Sequence, residues 1–192
     1  SKAAARFIGN RKQEAWHDET LWMVRVKRDK MSHSLPEWER LRELACEIKL
    51  YSNSHLDVLL EEFEKNATAN GAIVHWAKDA AEHNAIVEEI LQQHKAHTLI
   101  KSKSMLTEEC GMNDYLFGKG YDIIESDLGE RILQWMKLHP SHIVMPAIHI
   151  KRQEVGEMME RVLGTEKGNS DPTYLTHAVR KNTVSYTHLT LP

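Results

Sequence analysis

Lysines, carboxylates and one histidine lie where four predicted strands end, and these residue types bind charged ligands or transfer protons. The candidate cleft residues are Lys101, Ser102, Lys103, Ser104, Glu125, Asp127 and His149. In an open α/β sheet, ligands bind outside the carboxyl ends of the strands. The sequence therefore predicts one cleft, in which the lysines hold an anionic group and the carboxylates and His149 orient it or move protons.

The segment 101–104 is open to two interpretations. Lysine ammonium groups and the N-terminus of the next helix can bind a phosphate or a carboxylate. An ordinary solvated loop would instead lead into a helix capped by Thr107. The sequence has no GxxxxGK[ST] pattern, which excludes a nucleotide P-loop.

The acidic residues and the histidine also have structural interpretations. Glu125 and Asp127 are candidates for an acid and a base, or for ion pairs with the two lysines. Asp127 followed by Glu130 is typical of a helix entry with Asp127 as the cap. His149 is either a functional group at a strand end or a hydrogen-bonded histidine. Neither a Ser-His-Asp arrangement nor a metal site can be assembled, so no catalytic residue and no metal ligand are assigned.

Alternating strand-like and helical segments position these residues. β-prone runs occur at 72–76, 98–100, 121–125 and 141–145, and helical patterns occur at 79–94, 107–117, 129–138 and 151–163. Strands that alternate with helices of this length predict βαβ units. We therefore expect an α/β fold with a parallel, Rossmann-like sheet of four strands and flanking helices.

A helical extension is predicted before the sheet. Apolar residues at spacings of three and four from Trp38 to Phe63 predict one long helix or two stacked helices, after a basic, partly helical arm. A helix that begins near Pro172 is expected to stop at Thr183, before a β-prone tail with almost no charge. The predicted organisation is a helical arm over 1–66, a partial α/β domain over 67–182 and a non-native tail over 183–192.

Composition excludes several classes of protein. With 192 residues, 41% hydrophobic and 28% charged, the chain can bury a core, and a net charge of −3 gives no basic surplus for nucleic acid. No apolar run is long enough for a membrane span or a signal peptide, so the expected compartment is the cytoplasm. Cys46 and Cys110 belong to no CxxC pair, so any iron–sulfur chemistry would lie outside these residues.

Three blocks of sequence are distinctive: KSKSMLTEE at 101–109, ESDLGERILQ at 125–134 and PSHIVMPAIH at 140–149. Together with WERLR at 38–42 and GAIVHWA at 71–77, they closely resemble the lactate utilization protein B family, whose members contain a LUD domain. The resemblance runs from about residue 5 to residue 182.

The resemblance implies a component of a cytoplasmic complex that oxidises L-lactate to pyruvate and passes electrons through 4Fe-4S clusters. It also implies a domain similar to the phosphosugar isomerase and CoA-transferase fold, truncated here, with the cluster cysteines in a later region. On this interpretation the chain is an N-terminal fragment that holds no cofactor and is inactive alone. Its partners would be other subunits of the complex and a small anionic substrate, with neither nucleic acid nor a membrane span.

Two further functions stay open. An isomerase or CoA-transferase-like enzyme would act on a phosphosugar or acyl substrate, with a catalytic glutamate beyond this chain. A non-catalytic scaffold would dock partners through its N-terminal arm, whose first thirty residues carry eight basic and four acidic side chains.

Overall fold

The computed structural model describes residues 8–187, with side chains described as far as residue 184, and this part of the chain forms two compact units. One unit is Asp18–Trp76, and the other combines residues 8–17 with residues 77–187. The helices are α1 (Arg11–His33), α2 (Trp38–Ser54), α3 (Leu56–Ala69), α4 (Ala80–Gln93), α5 (Met105–Glu109), α6 (Met112–Gly118), α7 (Leu128–Met136), α8 (Arg152–Leu163) and α9 (Pro172–Thr187). The strands are β1 (Thr98–Lys101) and β2 (Asp122–Glu125).

The unit Asp18–Trp76 is helical, and its long apolar pattern forms two helices, one of the two arrangements that the sequence left open. At the break, His55 leaves the helical conformation, with φ −124° and ψ 24°. The Ser54 hydroxyl donates to the Leu50 carbonyl over 2.8 Å, and the imidazole of His55 hydrogen-bonds the Tyr51 carbonyl over 2.9 Å. Neither α2 nor α3 contains a buried residue.

The other unit is organised around one parallel pair of strands. Thr98 lies opposite Asp122, and Lys101 lies opposite Glu125, at the carboxyl ends of both strands. The connection between the strands contains α5 and α6, which are joined at Gly111 with a φ of +60°, a conformation that favours glycine. Ile123 fixes the pair on a core formed with Leu91, Met112 and Leu116.

A second core lies among the last three helices of the same unit. Its buried members are Ile132, Met158, Met159, Leu175 and Val179. Ile132 comes from α7, the two methionines come from α8, and the last two residues come from α9. Helices α7, α8 and α9 therefore pack as one apolar cluster, which holds α7 firmly at its position beside β2.

The predicted sheet of four strands is wrong for the described residues, which contain two strands. The β-prone runs at 72–76 and 141–145 pair with no strand, and Ile73 and Val144 are 82% and 75% exposed. A strand needs a partner for its backbone groups, and neither run has one. The described chain is thus mostly helical, and its α/β character rests on β1 and β2 alone.

The predicted helices after residue 79 are present, with two differences. The helix predicted over 107–117 is divided at Gly111 into α5 and α6. We expected the last helix to stop at Thr183, but α9 continues to Thr187. The rest of the predicted tail, residues 188–192, lies outside the described residues. Among the helices of residues 8–187, none combines the length and the apolar character needed to cross a membrane.

Candidate functional site

A buried ion pair occupies the carboxyl ends of the two strands. Lys101 Nζ lies 2.6 Å from Glu125 Oε1, and the side chains are 9% and 3% exposed. Both residues are the last of their strands, and the parallel register places them side by side. The strand ends therefore bring together two of the predicted site residues, as an ion pair.

Two neighbouring helices complete the contacts of this pair. Lys101 Nζ lies 3.4 Å from Glu108 Oε1 and donates to Thr107 Oγ1 over 3.2 Å, so α5 is tied to the end of β1. Asn113 of α6 donates to Glu125 Oε1 over 2.8 Å. The ammonium group thus faces two carboxylates within its own unit, and its charge is balanced there. This arrangement leaves Lys101 no free charge for an external anion.

A cleft of about 590 Å³ opens beside the ion pair, between α6 and α7. Its acidic lining comprises Glu108, Asp114, Glu125 and Glu130, and its rim includes apolar side chains such as Phe117 and Leu138. Volumes of about 300–1,000 Å³ are usual for small-molecule sites. The cleft is therefore large enough for a small ligand, and its lining combines these carboxylates and apolar side chains with Lys137 and His139.

Glu130 is the functional candidate that the sequence reasoning missed. It is 5% exposed on α7, lines the cleft, and its Oε1 is buried and accepts no hydrogen bond from the described residues. Burial raises the pKa of Glu130, and the nearby carboxylates of Glu108 and Glu125 raise it further, whereas Lys103 lowers it. The spacing from Asp127 identified Glu130 only as part of a helix entry, because nothing in the sequence shows which way α7 is rotated.

Two more acceptors at the cleft have no donor among the described residues. They are Glu125 Oε2 and Asn113 Oδ1, and both are buried. Exchanging the nitrogen and oxygen of the Asn113 amide does not solve this, because the nitrogen donates to Glu108 and Glu125 over 3.5 and 2.8 Å. The cleft thus has acceptors in excess.

The remaining polar residues of segment 101–104 act in different ways. Ser102 is exposed and Lys103 is half-buried. Ser104 caps α5, since its hydroxyl accepts from the Thr107 backbone N–H over 3.4 Å. The prediction of Thr107 as the cap is therefore wrong, and the cap lies three residues earlier, at Ser104. Anion binding at Ser102 and Lys103 stays a prediction.

Asp127 caps α7. Its Oδ2 accepts from the backbone N–H groups of Gly129 and Glu130 over 3.0 and 3.3 Å. The predicted capping by Asp127 is thus present, and this contact positions the first turn of α7. A role for Asp127 as an acid or a base stays a prediction.

His149 has a different set of contacts from the ion pair. It is 8% exposed, its Nδ1 hydrogen-bonds Ser141 Oγ over 2.7 Å, and its ring lies 6.4 Å from that of His17. Burial lowers the pKa of His149, and the neighbouring His17 lowers it further, while the Pro146 backbone and Glu154 oppose this. His149 therefore contacts Ser141 and His17, whereas the prediction placed it with the lysines. A functional role for His149 stays a prediction.

The site is a cleft next to the carboxyl ends of parallel strands, which is where α/β ligand-binding domains take their ligands. Residues 60–183 match the family profile described as the LUD domain. The chain belongs to the LUD domain family.

Curated relatives are similar to this chain over most of its length. It is 38% identical to lactate utilization protein B 1 of Bacillus mycoides over 159 residues, which is 82% of this chain and 33% of the relative. It is 40% identical to lactate utilization protein B of Bacillus pumilus over 151 residues, which is 78% of this chain and 32% of the relative. It is 36% identical to the uncharacterized electron transport protein YkgF of Escherichia coli over 158 residues, which is 82% of this chain and 33% of the relative.

The chain therefore spans about a third of the length of the curated relatives it matches. No solved structure matches it.

Proposed function

We propose that this chain is the LUD portion of a lactate utilization B-type protein, which takes part in the oxidation of L-lactate to pyruvate with other subunits of a complex. The observation that supports the proposal is the identity of 38% and 40% to Bacillus proteins named for lactate utilization. We place the protein in the cytoplasm, where free thiols such as Cys46 and Cys110 stay reduced. The larger phosphosugar isomerase and CoA-transferase-like sheet is part of the same proposal.

The proposal places the 4Fe-4S clusters outside this chain. Such clusters carry single electrons and are held by four cysteine thiolates. The chain has two cysteines, and Cys46 and Cys110 belong to different units. In the part of the chain that the structure describes, no group of three or more histidine, cysteine or acidic side chains could hold a metal ion. The residues present do not fit a cluster.

Within this function, the contribution of the chain is a cleft of fixed shape. The Lys101–Glu125 pair and its contacts to α5 and α6 hold the strand ends, and the caps at Ser104 and Asp127 fix where the next helices begin. A rigid first layer of this kind positions a ligand better than a loop does. We propose that this cleft is the binding site of the LUD portion.

A domain replacement tests the lactate role. In a Bacillus pumilus strain, the segment of lactate utilization protein B that aligns with residues 60–183 of this chain is replaced by those residues, the range that matches the family. We expect growth on L-lactate as sole carbon source at the rate of the parent strain, with growth on glucose as the control. A chimera that accumulates normally but does not grow on L-lactate contradicts the proposal.

Glu130 favours a second candidate, an isomerase or CoA-transferase-like activity whose acid–base glutamate lies within this chain, where the sequence suggested one beyond it. A buried carboxyl group with a raised pKa in a cleft is suited to proton transfer next to a carbonyl group. If this is the function, the purified chain interconverts a phosphosugar such as ribose 5-phosphate with its ketose, and Glu130→Gln abolishes the reaction. Absence of turnover, together with growth of the chimera on L-lactate, rejects this candidate.

A further inference from the structure

We propose that the cleft between α6 and α7 binds a small organic cation whose ammonium or guanidinium group donates hydrogen bonds to Glu125 and Glu130. The proposal goes beyond the lactate role, because it concerns a second ligand with chemistry opposite to that of lactate. Three properties of the cleft carry it: unsatisfied acceptors, excess negative charge, and a shape with apolar walls.

The first property is the set of unsatisfied acceptors. Glu125 Oε2, Glu130 Oε1 and Asn113 Oδ1 are buried and have no donor in the described part of the chain. A buried polar atom without a hydrogen bond costs about 1–3 kcal/mol, so such atoms normally have partners. An ionised carboxylate only accepts hydrogen bonds, so the missing partner must be a donor. Ammonium and guanidinium groups offer three and five N–H donors respectively.

The second property is the charge of the lining. Four carboxylates line the cleft, those of Glu108, Asp114, Glu125 and Glu130, against one lysine, Lys137, and one histidine, His139, so acidic groups outnumber basic ones. Lys101 contacts Glu108 and Glu125, but on Glu125 its Nζ lies 2.6 Å from Oε1, and Oε2 has no partner among the described residues. Glu130 has no ion pair within the described residues, although it is 5% exposed. A buried carboxylate of this kind is stabilised by a cation that enters from solvent.

The third property is the shape of the cleft. About 590 Å³ is enough for a molecule of several heavy atoms beyond its charged group. Phe117 and Leu138 line the cleft and are 46% and 43% exposed, so they offer apolar surface to a carbon chain. An aromatic face also attracts cations. Buried glutamates beside exposed apolar side chains suit an amine with an alkyl chain better than they suit an inorganic ion.

Competing ligand classes fit less well. An anion such as L-lactate would meet four carboxylates in the lining. A neutral polyol would satisfy the acceptors but would leave the charge of Glu130 without a partner. A quaternary ammonium ion would supply charge without N–H donors. These three classes are therefore the reference ligands for the test.

The experiment measures binding to the 192-residue chain by titration calorimetry. The probe is agmatine, which has an ammonium group, a guanidinium group and a short carbon chain. We expect a dissociation constant of about 1 mM or lower at low ionic strength. Tetramethylammonium at equal ionic strength, xylitol and L-lactate are expected to bind at least about tenfold more weakly. Equal binding of agmatine and tetramethylammonium, or no binding of agmatine, overturns the proposal.

Matched variants locate the site. Glu130→Gln keeps the size of the side chain and removes its charge, so we expect at least about tenfold weaker agmatine binding. Glu157→Gln is the control, because Glu157 is an exposed glutamate on α8 of the same unit. Thermal unfolding establishes that both variants are folded. Agmatine binding that Glu130→Gln leaves unchanged contradicts the proposed site.

Proton release provides an independent measurement. The pKa of Glu130 is raised by burial and by Glu108, Glu125 and Asp127, and lowered by Lys103. A bound cation would lower that pKa again, so binding near the raised pKa releases protons. We expect the observed enthalpy to change with the ionisation enthalpy of the buffer, and this change to disappear in Glu130→Gln. A buffer dependence that persists in the variant counts against the role of Glu130.

The lactate role and the cation site are tested by independent experiments, so either can be rejected without the other. Growth of the chimera on L-lactate does not require agmatine to bind, and agmatine binding to the purified chain does not require lactate oxidation. Loss of growth with intact agmatine binding therefore rejects only the lactate role. Intact growth without agmatine binding rejects only the cation site.

Discussion

Lys101 and Glu125 show why a buried ion pair is sensitive to the loss of one partner. Each charge is removed from water, and the energy lost is regained only through the partner and the added hydrogen bonds. Here the added contacts come from Thr107 and Glu108 on the lysine side and from Asn113 on the glutamate side. The ion pair links β1 to β2, and its added contacts link both strands to α5 and α6.

Replacing Lys101 with methionine tests this role. The Lys101→Met variant keeps most of the side-chain volume but leaves Glu125, which is 3% exposed, without its cation. We expect the free energy of unfolding to fall by about 3–5 kcal/mol. Urea unfolding followed by circular dichroism measures the loss.

Lys119→Met is the matched control for this measurement. Lys119 Nζ lies 3.6 Å from Glu88, but the lysine side chain is 51% exposed, so the change is expected to cost less than about 1 kcal/mol. The double variant Lys101→Met/Glu125→Gln should recover part of the stability, because position 125 then carries no buried charge that lacks its partner. If Lys101→Met and Lys119→Met unfold at the same urea concentration, the pair does not stabilise the fold as argued.

Removing the charge of Glu130 is expected to raise the free energy of unfolding, whereas removing the charge of Lys101 lowers it. Its folded pKa lies above the ordinary value of 4.5, mainly because of burial, so the folded state holds the proton more tightly than the unfolded state. The stability from this proton is fully present below 4.5 and is lost as the pH rises through the folded pKa. Glu130→Gln removes this loss, so we expect the variant to be more stable than the parent at about pH 7 and equal to it at about pH 4. Urea unfolding at both pH values measures this, and equal stability at neutral pH contradicts it.

At the scale of elements, the sequence predicts helices better than strands. Apolar spacing identified α4, α7 and α8 to within about two residues, because each helix satisfies its own backbone groups. The runs at 72–76 and 141–145 have strand-forming residues, but a strand also needs a neighbour that no local pattern reveals. Ile73, which is 82% exposed, shows that propensity alone does not create a sheet.

The same limit applies to the candidate site. Lys101 and Glu125 could be placed together because both end predicted strands, and their contact follows from parallel pairing. Asn113 and Glu130 lie on helices, and their position at the cleft depends on how α6 and α7 rotate against β2. That rotation is decided by packing of residues far apart in sequence, such as Ile132 with Met158.

Packing between α8 and the following loop gives a prediction at this scale. A Cβ added at Gly156 would lie 2.6 Å from the backbone oxygen of Asn169. Gly156→Ala should therefore destabilise the protein by about 1–3 kcal/mol, although alanine favours a helix. Thermal unfolding measures the change.

Gly118→Ala is the comparison, because this helical glycine has free space where a Cβ would lie. Nothing lies within 4 Å of a Cβ added at Gly118, at the end of α6, so alanine should stabilise by up to about 1 kcal/mol. If both variants shift the melting temperature in the same direction, the close contact at Gly156 is not the cause.

At the scale of the whole molecule, the two units differ in how much they bury. Helices α2 and α3 have no buried residues, whereas α7 buries Glu130, Ile132 and Leu133. Helices without packing partners are marginally stable in water. Hydrogen exchange should therefore be faster over 38–69 than over 128–136, measured by mass spectrometry of peptides from the intact chain. Equal protection of both segments would contradict this expectation.

The parallel pairing of β1 and β2 also has a kinetic consequence. A hairpin can form outward from its turn, but these strands can pair only after segment 102–121 has brought their ends together. The local helices α5 and α6 form faster than such a distant pairing. Lys101 and Glu125 therefore meet late in folding. Loss of their attraction in Lys101→Met should accelerate unfolding more than it slows folding, so the pair mainly determines how long the native state lasts.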